Sequence, residues 1–433
     1  DFDQIAWLRA WTLFLDQKYD KSLKAFQETQ SFANDTARLN YWIAMNLLKL
    51  NDTGTAQLIL KKLSEPILEQ KTFSFYNLLG WLRYQEYREQ FKNNDIIKSL
   101  ILMTKMPNSF YPTPDDQVTR SQLIEQYNDL TNEAFTTDEG DIQVRNTEND
   151  VLSSDELKGI LVGTKAELQT QIYWAQLLIE NKQPDIAKWH LFELEKNIKD
   201  RKNADLLAQF YLEQQFYYRA LSLQQRIGPI PKTTTNLKSD SIFWSSLYPE
   251  TYKTDVTQFS EKRKIDSYLV WSIMRAETQY KSDAISPVGA VGLMQFMPYT
   301  AEKIGKMLNE KSQTQELFKP QKSIEYGTAY LKKLSLELDY QKPLVAAAYN
   351  GGPHRVKQWL KNLGQMDYDI FIEHIPFAET RTYTKRVLTF RSMYEKIYNG
   401  NLAFDKMKYL IEKIPFVVPE NFKLSEEWEF TLK

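Results

Sequence analysis

Cysteine is absent from this chain of 433 residues. That gap removes disulfides, thiolate metal sites, a cysteine nucleophile and a lipid-bearing N-terminal cysteine from what the sequence can offer. An excess of charge is missing too: 55 basic and 56 acidic residues leave a formal net charge of −1. No overall field draws the protein onto nucleic acid or anionic lipid, so recognition must come from a local site. No apolar run approaches the roughly 20 residues needed to cross a bilayer, and no basic leader is present. With its opening Asp1-Phe2-Asp3, the sequence reads as a mature or trimmed soluble product. The three histidines, His190, His354 and His374, lack the spacing of zinc ligands, so neither metal nor cofactor is expected.

Glycine is scarce, at 14 residues, whereas aromatics make up 13% and apolar residues 42% of the chain. A chain of this length and composition buries a large core and suits two or three domains. Through residue 227, helix-period apolar patterns alternate with short polar turns. Two stretches repeat a scheme: Leu39 to Leu48, a turn at Asn51-Asp-Thr-Gly, then Ala56 to Leu63; and Ile172 to Glu180, a turn at Asn181-Lys-Gln-Pro, then Ile186 to Leu194. Helix pairs of this kind bury both faces only by stacking. An all-α chain is expected, with an α-superhelical, solenoid-like domain over residues 1–227; a plain helical bundle is the simpler alternative. A polar, acidic stretch over 131–156 reads as a loop. Gly228-Pro-Ile-Pro followed by three threonines marks an extended connector over 228–240. A second domain then fills 241–400, and 401–433 form an extension that packs on the body.

The chemistry concentrates in that second domain. Ile265, Leu269 and Ile273 recur every four residues, and Glu277 is the next member of the row. A glutamate that continues an apolar stripe is desolvated, which lifts its pKa from about 4.3 toward roughly 6 and equips it to donate a proton near neutrality. The simpler reading is an ion pair with Arg275 or Lys281. Beyond it lies a loop, Ser286-Pro-Val-Gly-Ala-Val-Gly-Leu-Met-Gln, whose Gly289 and Gly292 let backbone approach a ligand. It has too few glycines and no lysine for a phosphate loop. The Gln295 amide is suited to hydrogen-bond a sugar, and the Met297 thioether to pack on a pyranose face. Pro298 and Thr300 open the next helix.

These residues, with Gly327 to Leu331, Ala348 to Val356 and Ile375 to Val387, carry a resemblance. In order they match the motifs SxxGAxGLMQxMPxTA, GxxYL, AYNAGPxRV and IPFxETRxYVxxV, so the segment from about Ile242 to Gly400 resembles the catalytic domain of soluble lytic transglycosylases of the Slt type, glycoside hydrolase family 23. The resemblance implies a lysozyme-like α fold behind an α-superhelical domain. It also implies action on peptidoglycan glycan strands in the periplasm, alongside other cell-wall enzymes. Glu277 becomes the single catalytic acid and then base, with Thr278, Gln295, Met297, Tyr349, Asn350, Glu379 and Tyr383 lining the site. Tyr349 is the residue expected to steady the acid or a developing cation; Glu379 has an ion pair with Arg381 or Lys385 as its simpler reading. The family uses one carboxylate where most glycosidases need two, and Asp283 is expected to be solvated and uninvolved. Three departures stand out: Ala276 and Thr278 flank the acid where the family has Gln and Ser, a glycine replaces the alanine of AYNAG, and Ser323 replaces an asparagine. A goose-type lysozyme hydrolysing the same bond, and a glycan-binding scaffold without activity, are the rival readings.

Overall fold

The computed structural model describes residues 2–29, 34–68, 73–88, short runs between 174 and 199, 201–227, 241–363, 366–400 and 402–418. The stretch 131–156, the connector 228–240 and the residues from 419 on lie outside these. Regular structure among the described residues is helical. Extended backbone pairs only at isolated bridges, Ile285 with Val291, Val291 with Phe296 and Asp367 with Lys413. Internal contacts divide the chain into one compact unit, Asp1–Arg83 with Glu148–Lys433, and a second, Tyr84–Thr147. Of the second unit, only the helical end 84–88 is described, where the Arg88 guanidinium lies over the Tyr84 ring at 5.9 Å.

The first unit opens with α1 (Phe2–Leu15), α2 (Tyr19–Glu28), α3 (Thr36–Lys49) and α4 (Thr53–Leu68), each packed on its neighbour in sequence. Left-handed residues punctuate the turns: Gln17 (φ 59°) between α1 and α2, and Asn51 (φ 64°) between α3 and α4. Asn51 tolerates this conformation better than most side chains, which is why the turn falls there. Asp35 caps α3 by accepting the Arg38 N–H at 2.9 Å. Between these helices Trp11 meets Trp42 edge-on at 4.5 Å, and Trp42 is fully buried; burial of so large an apolar side chain contributes about 3 kcal/mol. The other expected pair also turns at a left-handed residue, Lys182 (φ 60°). Its Ala175, Ala187 and Leu191 share a core with α6 (Arg201–Glu213) and α7 (Tyr217–Arg226), which come after α5 (residues 75–88) along the chain.

The C-terminal helices are α8 (Ser241–Leu247), α9 (Lys253–Arg263), α10 (Ser267–Thr278), α11 (Pro298–Met307), α12 (Pro320–Glu337), α13 (Lys342–Gly351), α14 (Pro353–Leu363), α15 (Tyr368–His374), α16 (Ala378–Asn399) and α17 (Phe404–Met407). Proline occupies the first turn of α11, α12 and α13, where its missing N–H costs nothing. The sequence pattern predicts one apolar side for α10; the structure buries every residue from Leu269 to Arg275. The helix packs along the 22-residue α16 and against α9, and a helix buried all round cannot show a clean stripe. The Trp271 indole N–H donates to the Thr251 carbonyl at 2.8 Å, and its ring stacks on Tyr394 at 5.7 Å.

Buried polar contacts join the N-terminal helices to the C-terminal ones. Tyr41 of α3 donates to Asp369 of α15 at 2.5 Å, and Arg83 of α5 reaches the same carboxylate at 3.1 Å. Arg38 pairs with Glu373 at 2.7 Å. The extension over 402–418 packs on the body by way of Ile414, buried and donating its N–H to the Met366 carbonyl, while Tyr368 N–H donates to Glu412.

Candidate active site

The site grows from the end of α10. Asp266 starts that helix by accepting the Tyr268 N–H at 3.0 Å, and its other oxygen is held by Arg391 of α16 at 2.7 Å. The helix ends abruptly: Gln279 (φ 51°) and Tyr280 (φ 69°) are both left-handed, so the chain turns away directly after Glu277 and Thr278. The ensuing loop is folded on itself. Ser286 Oγ accepts the Ala290 N–H at 2.9 Å, Gly292 N–H donates to Ala284 at 2.9 Å, and Val291 exchanges backbone hydrogen bonds with Phe296.

Three tethers fix this loop against the helices. Thr278 Oγ1 donates to the Leu293 carbonyl at 3.0 Å. Met294 N–H donates to Ser323 Oγ of α12 at 3.2 Å, and the Tyr349 hydroxyl of α13 donates to the Met294 carbonyl at 2.9 Å. The Met294 side chain also occupies the space that a β-carbon on Gly327 would need, which is the physical reason for glycine in the GxxYL helix. Ser323 therefore keeps a hydrogen bond to the loop, although it stands where a different polar residue was expected.

Glu277 retains partial exposure as a residue, but its carboxyl group is enclosed by protein atoms. That desolvation, which governs the proton, raises its pKa from 4.5 to about 7. A hydrogen bond from the Tyr383 hydroxyl to Oε1 at 2.7 Å and the field of Arg386 pull the other way, and Glu379 adds to the rise. Neither cation expected to neutralise it forms an ion pair with it. Arg275 donates to the Leu247 carbonyl and lies over the Tyr248 and Phe390 rings at 3.8 and 4.5 Å; Lys281 is exposed. Glu277 forms no ion pair among the described residues. Tyr383 and Tyr349 are pushed well above the usual phenol range by burial first and by the Glu277 charge second. Both therefore stay protonated and serve as donors.

Of the expected lining residues, Tyr383 and Glu379 face Glu277, and Thr278, Gln295 and Tyr349 hold the loop that follows it, in roles other than those expected. The hydroxyl that reaches the acid belongs to Tyr383; Tyr349, expected to steady it, commits its hydroxyl to the loop. Gln295, expected to bind sugar, is left-handed (φ 51°) and donates its amide to the Gly292 and Ala284 carbonyls at 3.0 and 3.3 Å. Thr278 is likewise a tether. Glu379 forms neither expected ion pair, because Arg381 donates to the Ile375 carbonyl and Lys385 pairs with Glu373. It is exposed and accepts the Asn350 amide at 3.2 Å, while Thr380 donates to Asn350 Oδ1 at 2.6 Å. A β-carbon at Gly351 would lie 2.9 Å from Thr380 Cγ2, so the glycine there makes room for that approach. Met297 is half-buried just ahead of Pro298, and Asp283 is exposed. Arg386 was not among the expected residues. It donates to the Ala276 carbonyl at 3.2 Å, and its position three residues after Tyr383 on the same helix was the available signal.

Replacing Tyr383 by phenylalanine should raise the Glu277 pKa by about one unit, since a hydrogen bond to the anion is lost. Carboxyl titration by NMR checks this, and an unchanged titration would remove Tyr383 from the acid's environment.

A helical domain holding one enclosed, proton-bearing glutamate beside a tethered glycine loop is the class of protein that fold and geometry define. Residues 256–372 match the Transglycosylase SLT domain family. Over 150 residues the chain is 37% identical to the soluble lytic murein transglycosylase of Salmonella typhimurium, covering 34% of this chain and 23% of that protein. It is 31% identical over 168 residues to membrane-bound lytic murein transglycosylase C of Edwardsiella ictaluri, covering 34% and 47%. Among solved structures, the 70-kDa soluble lytic transglycosylase of Escherichia coli is similar in fold, with TM-score 0.59 and 21% identity over 91% of this chain and 50% of that one. An inactive mutant of lytic transglycosylase Slt from Pseudomonas aeruginosa gives 0.60 and 21% over 93% and 53%. The chain thus spans about half the length of these solved proteins, and its alignment covers about a quarter of the Salmonella relative.

Proposed function

We propose that this protein is a peptidoglycan lytic transglycosylase that cleaves the β-1,4 bond between MurNAc and GlcNAc and leaves a 1,6-anhydroMurNAc end. The observation that carries the reading is Glu277: enclosed, in no ion pair among the described residues, raised to a pKa of about 7 and hydrogen-bonded by Tyr383. The names of the similar proteins support the substrate class.

Glu277 donates its proton to the leaving glycosidic oxygen as the bond to C1 breaks. The carboxylate then accepts the proton of the MurNAc C6 hydroxyl while that oxygen bonds to C1. One proton leaves and one returns, so the enzyme ends as it began. The nucleophile belongs to the substrate, and intramolecular proximity replaces a positioned water. A second carboxylate for water activation is unnecessary; Glu379 is exposed and tied to Asn350, and Asp283 faces solvent. A peptidoglycan substrate fits a periplasmic location, with glycan strands as the binding partner and other cell-wall enzymes as neighbours. No helix among the described residues is long and apolar enough to cross a membrane.

Mass spectrometry of digested sacculi tests this. Anhydro-ended muropeptides, each lighter by one water than the reducing-ended form, are expected. Reducing ends would establish the lysozyme-type hydrolysis instead, and binding without cleavage would establish a scaffold. Cleavage is expected to weaken as pH rises through about 7, because the donor form of Glu277 is lost there. A rate that climbs steadily to pH 9 would remove Glu277 as the acid.

A further inference from the structure

We propose that Lys385 is a positioning residue for the acid: gripped by Glu373 and Tyr76, it fixes the turn of α16 from which Tyr383 reaches Glu277. The inference rests on the reading of Glu277 as the proton donor and extends it to the N-terminal helices, to which no part in the chemistry has been given.

Tyr383 and Lys385 are two positions apart on a helix of 3.6 residues per turn, so they project to nearly opposite sides of α16. On one side the Tyr383 hydroxyl lies 2.7 Å from Glu277 Oε1. On the other, Lys385 Nζ lies 2.6 Å from Glu373 Oε1 and 2.5 Å from the Tyr76 hydroxyl of α5. The remaining Glu373 oxygen is taken by Arg38 of α3 at 2.7 Å, and the Arg38 guanidinium lies 3.5 Å over the Trp7 ring of α1. Glu373 is buried, so this grip is poorly screened and stiff, unlike a surface ion pair.

The two sides are electrostatically separate. Lys385 is faced by Glu373 of α15, Arg38 of α3, Tyr76 of α5 and Arg381 on its own helix. Glu277 is faced by Tyr383, Arg386 and Glu379 of α16 and by Tyr349 of α13. With no member in common, a change at Lys385 reaches the acid through the backbone of α16. The grip also falls in the second turn of that helix, next to its N-terminal residues, whose N–H groups lack intrahelical partners and whose register is otherwise the least secured.

The test is NMR titration of the Glu277 side-chain carboxyl, assigned by its disappearance in Glu277→Gln, together with sacculus turnover. Two variants loosen the grip: Lys385→Met combined with Glu373→Gln, which removes both buried charges, and Tyr76→Phe, which removes one hydroxyl and preserves the fold. The Glu277 pKa is expected to rise by about one unit in the first, and by less in the second. Turnover should fall about tenfold or more with KM unchanged. In a Tyr383→Phe background neither variant should shift the titration further. A lower melting temperature with an unmoved Glu277 titration would reduce Lys385 to a structural role, and additive shifts would show that it does not act through Tyr383. The carboxyl titration needs no turnover, so failure of the enzymatic reading would be seen separately.

Discussion

Glutamine at position 277 is expected to stop sacculus lysis and, in the same protein, to raise stability above neutral pH. Loss of a positioned general acid that also serves as base lowers the rate by about 10³-fold or more. The stability effect is a matter of linkage. The carboxyl is protonated up to about pH 7 in the folded chain but only to about 4.5 when unfolded, so between those values the folded state binds more protons. Stability then falls as pH rises from about 4.5 to 7. The displacement corresponds to about 3 kcal/mol at 1.36 kcal/mol per unit, and to roughly 2 kcal/mol once the residue's partial exposure is allowed for. Glutamine keeps the shape and the Tyr383 contact without the charge. Denaturant titrations of both forms should therefore coincide near pH 4 and separate by pH 8, with Glu277→Gln the more stable. Equal stability at pH 8 would mean that the carboxyl is freely hydrated, and the basis for its acid role would be lost.

Gly292→Ala is the second large effect. Gly292 has φ +76°, and a β-carbon there would run into the Leu317 backbone carbonyl. A backbone obstacle cannot swing aside as a side-chain tip can. Strain at an unfavourable φ costs of order 1–3 kcal/mol, and overpacking adds typically about 1–3 kcal/mol. A total near 4 kcal/mol is expected, with activity lost because the same loop carries Leu293, Met294 and Gln295 into their tethers. Gly289 provides the control: its φ is +86°, but nothing lies within 4 Å of the missing β-carbon, so alanine there incurs the backbone cost alone. Melting curves of the two variants check the contrast, and similar losses would show that Leu317 yields.

The helical character, the turns at Asn51 and near Lys182, and the alignment of Glu277 with an apolar row were legible in the sequence. Each depends on short-range chemistry: apolar periodicity, turn-forming residues such as Asn51, Asn181 and Pro184, and a glutamate in register with a buried row. The partners of the lining residues were not legible. Thr278, Gln295 and Tyr349 carry polar groups suited to a ligand, yet each spends a bond on the loop backbone; for Thr278 and Tyr349 the acceptors are the carbonyls of Leu293 and Met294, residues whose burial keeps water from serving instead. Arg275 stands two residues from Glu277 and still does not pair with it, since helix geometry aims neighbours two apart to different sides.

What the sequence determined by itself was an all-α chain with one glutamate in line with an apolar row ahead of a glycine-punctuated loop, because period, glycine and proline act within a few residues. Only the tertiary structure decided that the carboxyl is enclosed and free of ion pairs among the described residues, that Tyr383 donates to it, and that Tyr76 reaches the helix carrying that tyrosine while Arg38, Tyr41 and Arg83 hold the acidic side chains of the neighbouring α15. Desolvation and ion pairing are sums over groups distant in the chain, and no local pattern encodes which of those groups arrive together.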